Sequence, residues 1–286
     1  MKKHLQKVID ASEGAEIIVS DDCSSDGSVD YLTESFPGVT VVENKKRQGF
    51  AGNVNAGVAH ARGDIVVLLN TDVEPEKRFL PPILSHFKDG NVFAVGCLEK
   101  SHENGKVILR GRGIARWEKG YYIHSRGEVN RTDTAWVSGG SGAFRKSMWD
   151  TLGGMDTIYN PFYWEDIDLS YRGRKAGWKI LFEPKSVVHH YHEEGKIKSE
   201  FSQDDVKRIV YRNQFIFIWK NLTDKTQYLL HLVYTPLQLI QAFLRKDNGM
   251  FTGYWLALQQ LIILMRRKKE QYLLNVKLDK ELDILK

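Results

Sequence analysis

Three unbroken apolar runs, each closing on oxygen-bearing side chains, constrain this chain more than any other feature. They are EIIVSDD (16–22), VTVVEN (39–44) and DIVVLLN (64–70). A strand with one wet face alternates apolar and polar residues, whereas a run without alternation is covered on both faces. Between the runs lie segments of helical length and pattern, DGSVDYLTESF (26–36) and FAGNVNAGVAHARG (50–63). Strands alternating with helices of this length predict βαβ units and a mostly parallel sheet flanked by helices. With 286 residues, 42% of them hydrophobic and 27% charged, the chain can bury the core such a sheet needs.

Beyond residue 78 the pattern loosens. FAVGCLE (93–99) and TAWVSGGSGAFR (134–145) read as strands, with a meander over 105–128 between them. KSMWDTLGG (146–154) and YWEDIDLSYRGRKAG (163–177) read as helices, WKILFEP (178–184) as a strand, and SVVHHYHEE (186–194) as a strand or a loop. From about 197 the chain turns helical, which divides it into an α/β domain over 1–196 and a helical extension over 197–286. In the extension Phe251, Tyr254, Trp255, Leu258, Ile262 and Met265 follow helical spacing and mark one apolar face.

The net charge, 41 − 36 = +5, suits phosphate-bearing ligands or an anionic membrane and does not call for nucleic acid. Cys23 and Cys97 have no metal-like spacing, and two isolated thiols fit a reducing, cytoplasmic setting. The N-terminus has no apolar core of signal-peptide length. The uncharged stretch 248–265 is short for a span and holds Gln259-Gln260 at its centre.

Ligands of open α/β sheets sit outside the carboxyl ends of the strands. Here those ends carry Asp21-Asp22, Asn44 and Asn70-Thr71-Asp72. A carboxylate so placed suits Mg²⁺ or Mn²⁺, which takes one or two protein carboxylates and completes its shell with phosphate oxygens and water. Asp72 can supply that ligand and Asn70 a neutral carbonyl oxygen. The plainer readings are turn and cap residues at 21–22 and a turn at 70–75. A second cluster, Glu165, Asp166 and Asp168, stands among aromatic residues. Crowded carboxylates repel, which raises at least one pKa and favours a proton acceptor. The plainer reading is an acidic first turn at a helix N-terminus, with Asp168 paired to Arg172 at i+4. The SGGSGAFR segment (138–145) supplies a glycine-rich loop or a tight turn. His189, His190 and His192 crowd one segment near the end of the domain.

EIIVSDDCSSDGS, RQGFAGNVNAG, ARGDIVVLLNTDVEP and FYWEDIDLSYRGRKAGWKI, taken in this order, resemble the motif series of family-2 glycosyltransferases. The resemblance covers about residues 5–192 and is nearest to the bacterial rhamnosyltransferase-like members that build surface polysaccharides. It implies the GT-A fold, a Rossmann-like mostly parallel sheet flanked by helices. It implies an inverting transfer from a nucleotide-diphosphate sugar to a glycan or lipid-linked glycan acceptor. Asp22 would then meet the donor's base or ribose, with Arg47 and Asn55 near the base and diphosphate and Gly140 against the donor sugar. Asp166 would be the base, with Glu165 assisting. Asp156 is similar to the family's acceptor-side acid, and Trp164 is taken with it as an acceptor contact. His190, with His189 as its rival, matches a position where some members give an imidazole to the metal. The family's Asp-x-Asp stands here as Asn70-Thr71-Asp72, so Asp72 is the anionic ligand that remains.

One departure stands out. Members begin with a strand in the middle of the sheet, ahead of the helix that starts here near Lys3. Without it, two strands lack their shared neighbour. That leads to an alternative reading, a truncated and inactive sugar-nucleotide-binding or scaffold protein. The lack of a Gly-x-Gly-x-x-Gly after a strand argues against a dehydrogenase. The lack of a glycine-rich N-terminal phosphate loop argues against a sugar nucleotidyltransferase. The extension's apolar face lies between Arg245-Lys246 and Arg266-Arg267-Lys268-Lys269. This predicts peripheral contact with the cytoplasmic face of a membrane through 245–269. Packing on the catalytic domain, or on a second copy in a homodimer, is the alternative.

Overall fold

The computed structural model describes residues 3–12, 14–103, 105–191, 200–271 and 277–285. His192, the side chain of Lys269 and the expected boundary at 196/197 lie outside them. The first apolar run forms β1 (Ile18–Asp21), the second β2 (Thr40–Glu43), and α2 (Ser28–Ser35) joins them as a βαβ unit. They pair in parallel, and only with each other. The third run forms β3 (Ile65–Leu69), which belongs to a separate six-stranded sheet.

That sheet runs β3, β9 (Ser141–Arg145), β5 (Val92–Glu103), β10 (Lys179–His190), β4 (Val73–Pro75), with β6 (Lys106–Arg110) paired to the far half of β5. It is mixed rather than mostly parallel. Only β5 and β10 run in parallel, and every other pairing is antiparallel. The two segments 178–184 and 186–194 merge into β10, which shifts register between Glu183 and Val187. The sheet division matches the departure noted in the sequence. β1 and β3 share no strand, and most of their apolar side chains stay half-buried although the runs are apolar throughout. Helix α3 (Gly49–His60) crosses this region. Asn53 bonds Ser20 on β1, while Ala51 and Val58 enter the core with Val66 of β3 and Phe144 of β9.

The remaining elements up to β10 are α1 (Leu5–Ala11), α4 (Leu80–Ser85), the hairpin β7 (Gly113–Glu118) and β8 (Tyr121–Arg126), α5 (Lys146–Leu152) and α6 (Glu165–Lys175). Among the described residues four further helices follow: α7 (Gln203–Asn221), α8 (Lys225–Leu244), α9 (Asn248–Leu258) and α10 (Leu261–Gln271). They share a core with the α/β part. Phe215 to Ile218 of α7 pack with Trp117 and Tyr122 of the hairpin and Tyr171 of α6. Asp279, in the closing turn Asp279–Leu282, accepts from Tyr171 at 2.5 Å and from Lys175 at 2.7 Å, stitching the C-terminal segment to α6.

The apolar stripe expected to run unbroken over 251–265 is divided. The chain breaks at Gln259-Gln260 between α9 and α10, so a single helical phase does not persist. Tyr254 turns inward against Phe215 and Trp219, with ring centroids 5.0 and 5.8 Å away.

Candidate active site

The loop ahead of α6 is held in a conformation it would not adopt alone. Tyr163 and Trp164 both have left-handed backbones, φ 69° and 78°, which costs a non-glycine residue of order 1–3 kcal/mol. What holds them comes from the extension. Asn213 of α7 is fully buried, and its side-chain amide donates to the carbonyls of Tyr159, Phe162 and Tyr163 at 2.8, 3.0 and 2.9 Å. Arg212 adds bonds to the carbonyls of Tyr159 and Asn160.

This clamp starts α6 with its acids in fixed places. Asp166 is half-buried and accepts only backbone N–H groups, from Ile167 at 2.7 Å and Gly139 at 3.3 Å. Burial raises its pKa, and the two N–H groups offset part of the rise. Glu165 is buried, and its Oε2 has no hydrogen-bond partner among the described residues. Burial, reinforced by the negative charge of Asp166, pushes it up to about 8. Burial raises both carboxyls, and the charge of Asp166 raises Glu165 further, so Glu165 holds its proton the more tightly of the two, the separation of roles expected when two carboxyls meet different surroundings.

The glycine loop connects this pair to the end of β3. Gly139 donates to Asp166, and the next carbonyl, Gly140, accepts from the Asn70 N–H at 2.9 Å. A Cβ at Gly140 would stand 2.6 Å from the Asn70 side-chain nitrogen, so the approach of loop to strand end requires glycine. Two residues on, Asp72 lies 3.3 Å from His190 Nε2, and Glu99 of β5 lies 3.1 Å from Nδ1 of the same ring. Burial alone would lower the imidazole; the two carboxylates outweigh it and raise it to about 9. Alternation along β10 turns His189 the other way, to Glu76 at 3.1 Å and His102 at 3.0 Å.

Other expected site residues are engaged within the fold. Asp22 accepts from the backbone of Gln48 at 2.7 Å and Gly49 at 2.9 Å, fixing the start of α3. Arg47, in the same turn, is exposed and has no hydrogen bond or ion pair among the described residues. Asn55 differs from its expected place at the diphosphate. Both its polar atoms bond the backbone of Met155, at 2.8 and 2.9 Å, so it ties α3 to the Gly153-Gly154 turn. Asp156 differs likewise. It is buried, caps the turn Thr157–Tyr159, and pairs with Lys220 at 2.7 Å and with Arg267. Trp164 is buried edge-on to His124 at 4.7 Å and beside Phe217 at 5.1 Å, leaving no face for an acceptor. The neighbouring ring that stays open is Tyr163, 43% exposed.

Asp168 serves structure. It accepts from Arg172 at 2.7 Å, Lys220 at 2.8 Å, and Tyr159 and Asn221 each at 2.8 Å. Burial alone would raise its pKa, but Lys220 and Arg172 hold it well below the usual carboxylate range. Glu99 and Asn213 escaped the sequence reading. Glu99 closes the apolar run FAVGCLE much as Asp72 follows DIVVLLN, a signal that could have found it. Nothing in the α7 sequence marks Asn213.

Comparison with known proteins bears on this arrangement. The family described as "Glycosyl transferase family 2" matches residues 2–152. A pre-mycofactocin glycosyltransferase of Mycobacterium tuberculosis is 26% identical over 200 residues, 66% of this chain and 40% of that protein. An N-acetylglucosaminyl-diphospho-decaprenol L-rhamnosyltransferase of the same organism is 24% identical over 205 residues, 61% of this chain and 66% of that protein. The chain thus spans less than half the length of the first and about two thirds of the second. Among solved structures, GalNAc-T7 with UDP, GalNAc and Mn²⁺ superimposes with a TM-score of 0.64 at 18% identity, over 80% of this chain and 46% of that one. At that identity the likeness establishes the GT-A fold alone.

Proposed function

The chain belongs to glycosyl transferase family 2, and from that premise we propose that it transfers a sugar from a nucleotide-diphosphate sugar, with inversion, to a glycan or lipid-linked glycan acceptor during surface polysaccharide assembly. The observation that carries this reading is the pair Glu165–Asp166, two raised carboxyls of which Glu165 holds its proton the more tightly, tied through one glycine loop to the Asn70–Asp72 strand end.

Asp166 takes the proton of an acceptor hydroxyl. That oxygen bonds the anomeric carbon while the bond from this carbon to the diphosphate oxygen breaks on the opposite face, releasing nucleoside diphosphate. Glu165, kept neutral, donates a hydrogen bond that orients the acceptor. Arg47, free at the rim, meets the donor's phosphates or base. The lipid-linked acceptor class is supported by the decaprenol rhamnosyltransferase among the relatives.

A divalent cation would fit Asp72 and His190 by taking the place of the proton that the imidazole, raised to about 9, otherwise holds. Their atoms, 3.3 Å apart, are spaced about as neighbouring ligands of one octahedral ion are, with the rest of the shell left to phosphate oxygens and water. Glu99 sits on the opposite ring nitrogen, so it orients the imidazole as an outer partner. Among the described residues no set of three His, Cys, Asp or Glu side chains is arranged to hold a metal by itself. When bound, such an ion would neutralise charge developing on the leaving diphosphate. The Mn²⁺ named with UDP in the GalNAc-T7 structure supports the same class of cofactor.

One observation favours a second reading. The β1–β2 pair carries Asp22 yet has no strand bond to the main sheet, which suits a chain that binds sugar nucleotides without turning them over. One assay separates the two. The full chain is incubated with a panel of UDP-, GDP- and dTDP-sugars, with and without Mn²⁺, and both binding and nucleoside diphosphate release are measured. Slow Mn²⁺-dependent release from one donor is expected. Tight binding without release under any condition selects the second reading, and no binding to any donor overturns both.

A further inference from the structure

Helix α8 is 20 residues long, about 30 Å at 1.5 Å per residue, and its two faces differ. His231, Thr235 and Ala242 are buried against the β7–β8 hairpin and the neighbouring helices, with Tyr121 bonding Thr235 at 2.9 Å. On the opposite face Leu229, Leu232, Val233, Leu237, Ile240 and Leu244 stand exposed in helical register. Phe243 and Leu244 are 71% and 73% exposed, and Ile262 and Met265 of α10 are 72% and 73% exposed. Single exposed apolar residues are ordinary, but a contiguous face of this length marks a docking surface. No described helix is long and apolar enough to cross a membrane.

Charge identifies the occupant. From 225 to 268 the chain contains a single acid, Asp247. Its carboxylate is occupied by Lys207 at 2.9 Å and Tyr211 at 3.1 Å. Lys225, Arg245, Lys246 and Arg266 rim the face, exposed, their side chains without a hydrogen bond or ion pair among the described residues. Arg267 and Lys268, by contrast, are used inside the fold, on Asp156 and on the carbonyls of Trp219 and Leu222. Two clefts open at the ends of α8. One, of about 440 Å³, is walled by Leu222, Tyr228 and Leu229 with Lys225 beside them; the other, of about 490 Å³, by Phe243, Leu244 and Phe251 with Lys246. An apolar cleft with a lysine at its mouth suits an acyl chain below an anionic headgroup. A two-fold pairing of copies would set the patch on its own image and bring cation rim against cation rim.

We propose that the exposed face of α8, continued by Trp255 of α9 and by Ile262 and Met265 of α10, docks the protein onto an anionic lipid bilayer. The helices lie in the interface plane, with their aliphatic side chains at the acyl boundary and the free cations among the headgroups. The active-site clamp is part of the same scaffold, because α7, which carries Asn213, is the helix on which α9 packs. The docking surface stands independently of the transfer reaction, since its test needs neither donor nor acceptor.

The full chain is sedimented at low salt with phosphatidylcholine vesicles and with vesicles that also contain phosphatidylglycerol. Binding is expected only to the latter. Changing Arg245, Lys246 and Arg266 to Gln should weaken it on the order of a hundredfold, since each cation near an anionic surface is worth about fivefold. Leu237→Glu with Ile240→Glu should abolish it. All five side chains are exposed, so both variants should keep the wild-type thermal midpoint. If the double glutamate variant misfolds, the glutamine variant carries the test. Failure of the wild type to sediment with anionic vesicles overturns the proposal. So does binding that neither variant alters, or a dimer in light scattering that the glutamate variant dissociates.

Discussion

The first turn of α6 carries three acids, and its two faces hold them in opposite states. On the inner face Asp168 is fully buried and meets two cations, an amide and a phenol. On the outer face Glu165 has an oxygen with no partner, and Asp166 has only backbone N–H groups. Burial is common to both faces, so burial alone does not decide ionisation. What decides it is whether cations accompany the carboxylate into the interior. Asp168 stays charged and inert because every lone pair is used. Glu165 and Asp166 are raised and left short of partners, as groups must be if a substrate is to complete their bonding.

The comparison breaks most violently at the inner face. Asp168→Asn removes the anion that Lys220 and Arg172 share, and uncompensated buried charge should cost about 3–5 kcal/mol in denaturant unfolding. A loss below about 1 kcal/mol would mean the network is not what holds α6. The pH dependence has a definite sign. Because Asp168 is depressed in the folded protein, its contribution is present above the unfolded value of about 3.9 and is lost as pH falls through the folded pKa.

A smaller effect tests the clamp between the faces. Asn213→Ala leaves three loop carbonyls without their buried donor and should cost about 1–3 kcal/mol. It also frees Tyr163 and Trp164 to leave their left-handed backbone, so kcat should fall more than donor KM rises. Equal changes in both would make Asn213 a packing residue only.

The outer face gives an effect that is smallest at pH 5, with the opposite sign to Asp168. Glu165 is raised when folded, so the folded state holds a proton that the unfolded chain releases above about 4.3. Its burial therefore subtracts stability progressively as pH rises from there toward 8. Glu165→Gln should raise the thermal midpoint by about a degree or two at pH 5 and by progressively more as pH rises toward 8. A gain independent of pH would show that Glu165 titrates normally.

How much of this was legible follows from range. Contacts local to a run or a turn could be read from the sequence. Asp72 after a strand, the Asp168–Arg172 pair at i+4 and the glycine loop all lie within a few residues of their signals. What could not be read depends on partners far along the chain. Asn55 and Met155 are 100 residues apart, and Asn213 is about 50 from the carbonyls it holds. Asp156 and Trp164 sit beside the acids in sequence, yet α7 and α10 claim the first and the hairpin and α7 enclose the second. The β3 run reads as a strand covered on both faces, yet only Val66 of it is buried, and the run does not say which strand lies beside it. An antiparallel partner arriving from residue 141 onward makes the sheet mixed.

The account rests on Asp166 being the group that accepts the proton, and Asp166→Asn tests it most directly. The variant keeps the size and one of the two oxygens that Ile167 (on Oδ1) and Gly139 (on Oδ2) use, so it gives up one backbone hydrogen bond at most, and fold and donor affinity should stay close to the wild type. Turnover per donor-saturated enzyme, read as nucleoside diphosphate released in the presence of acceptor, should fall by roughly a hundredfold or more. Turnover within a few-fold of the wild type would contradict the account and move the chemistry away from the first turn of α6.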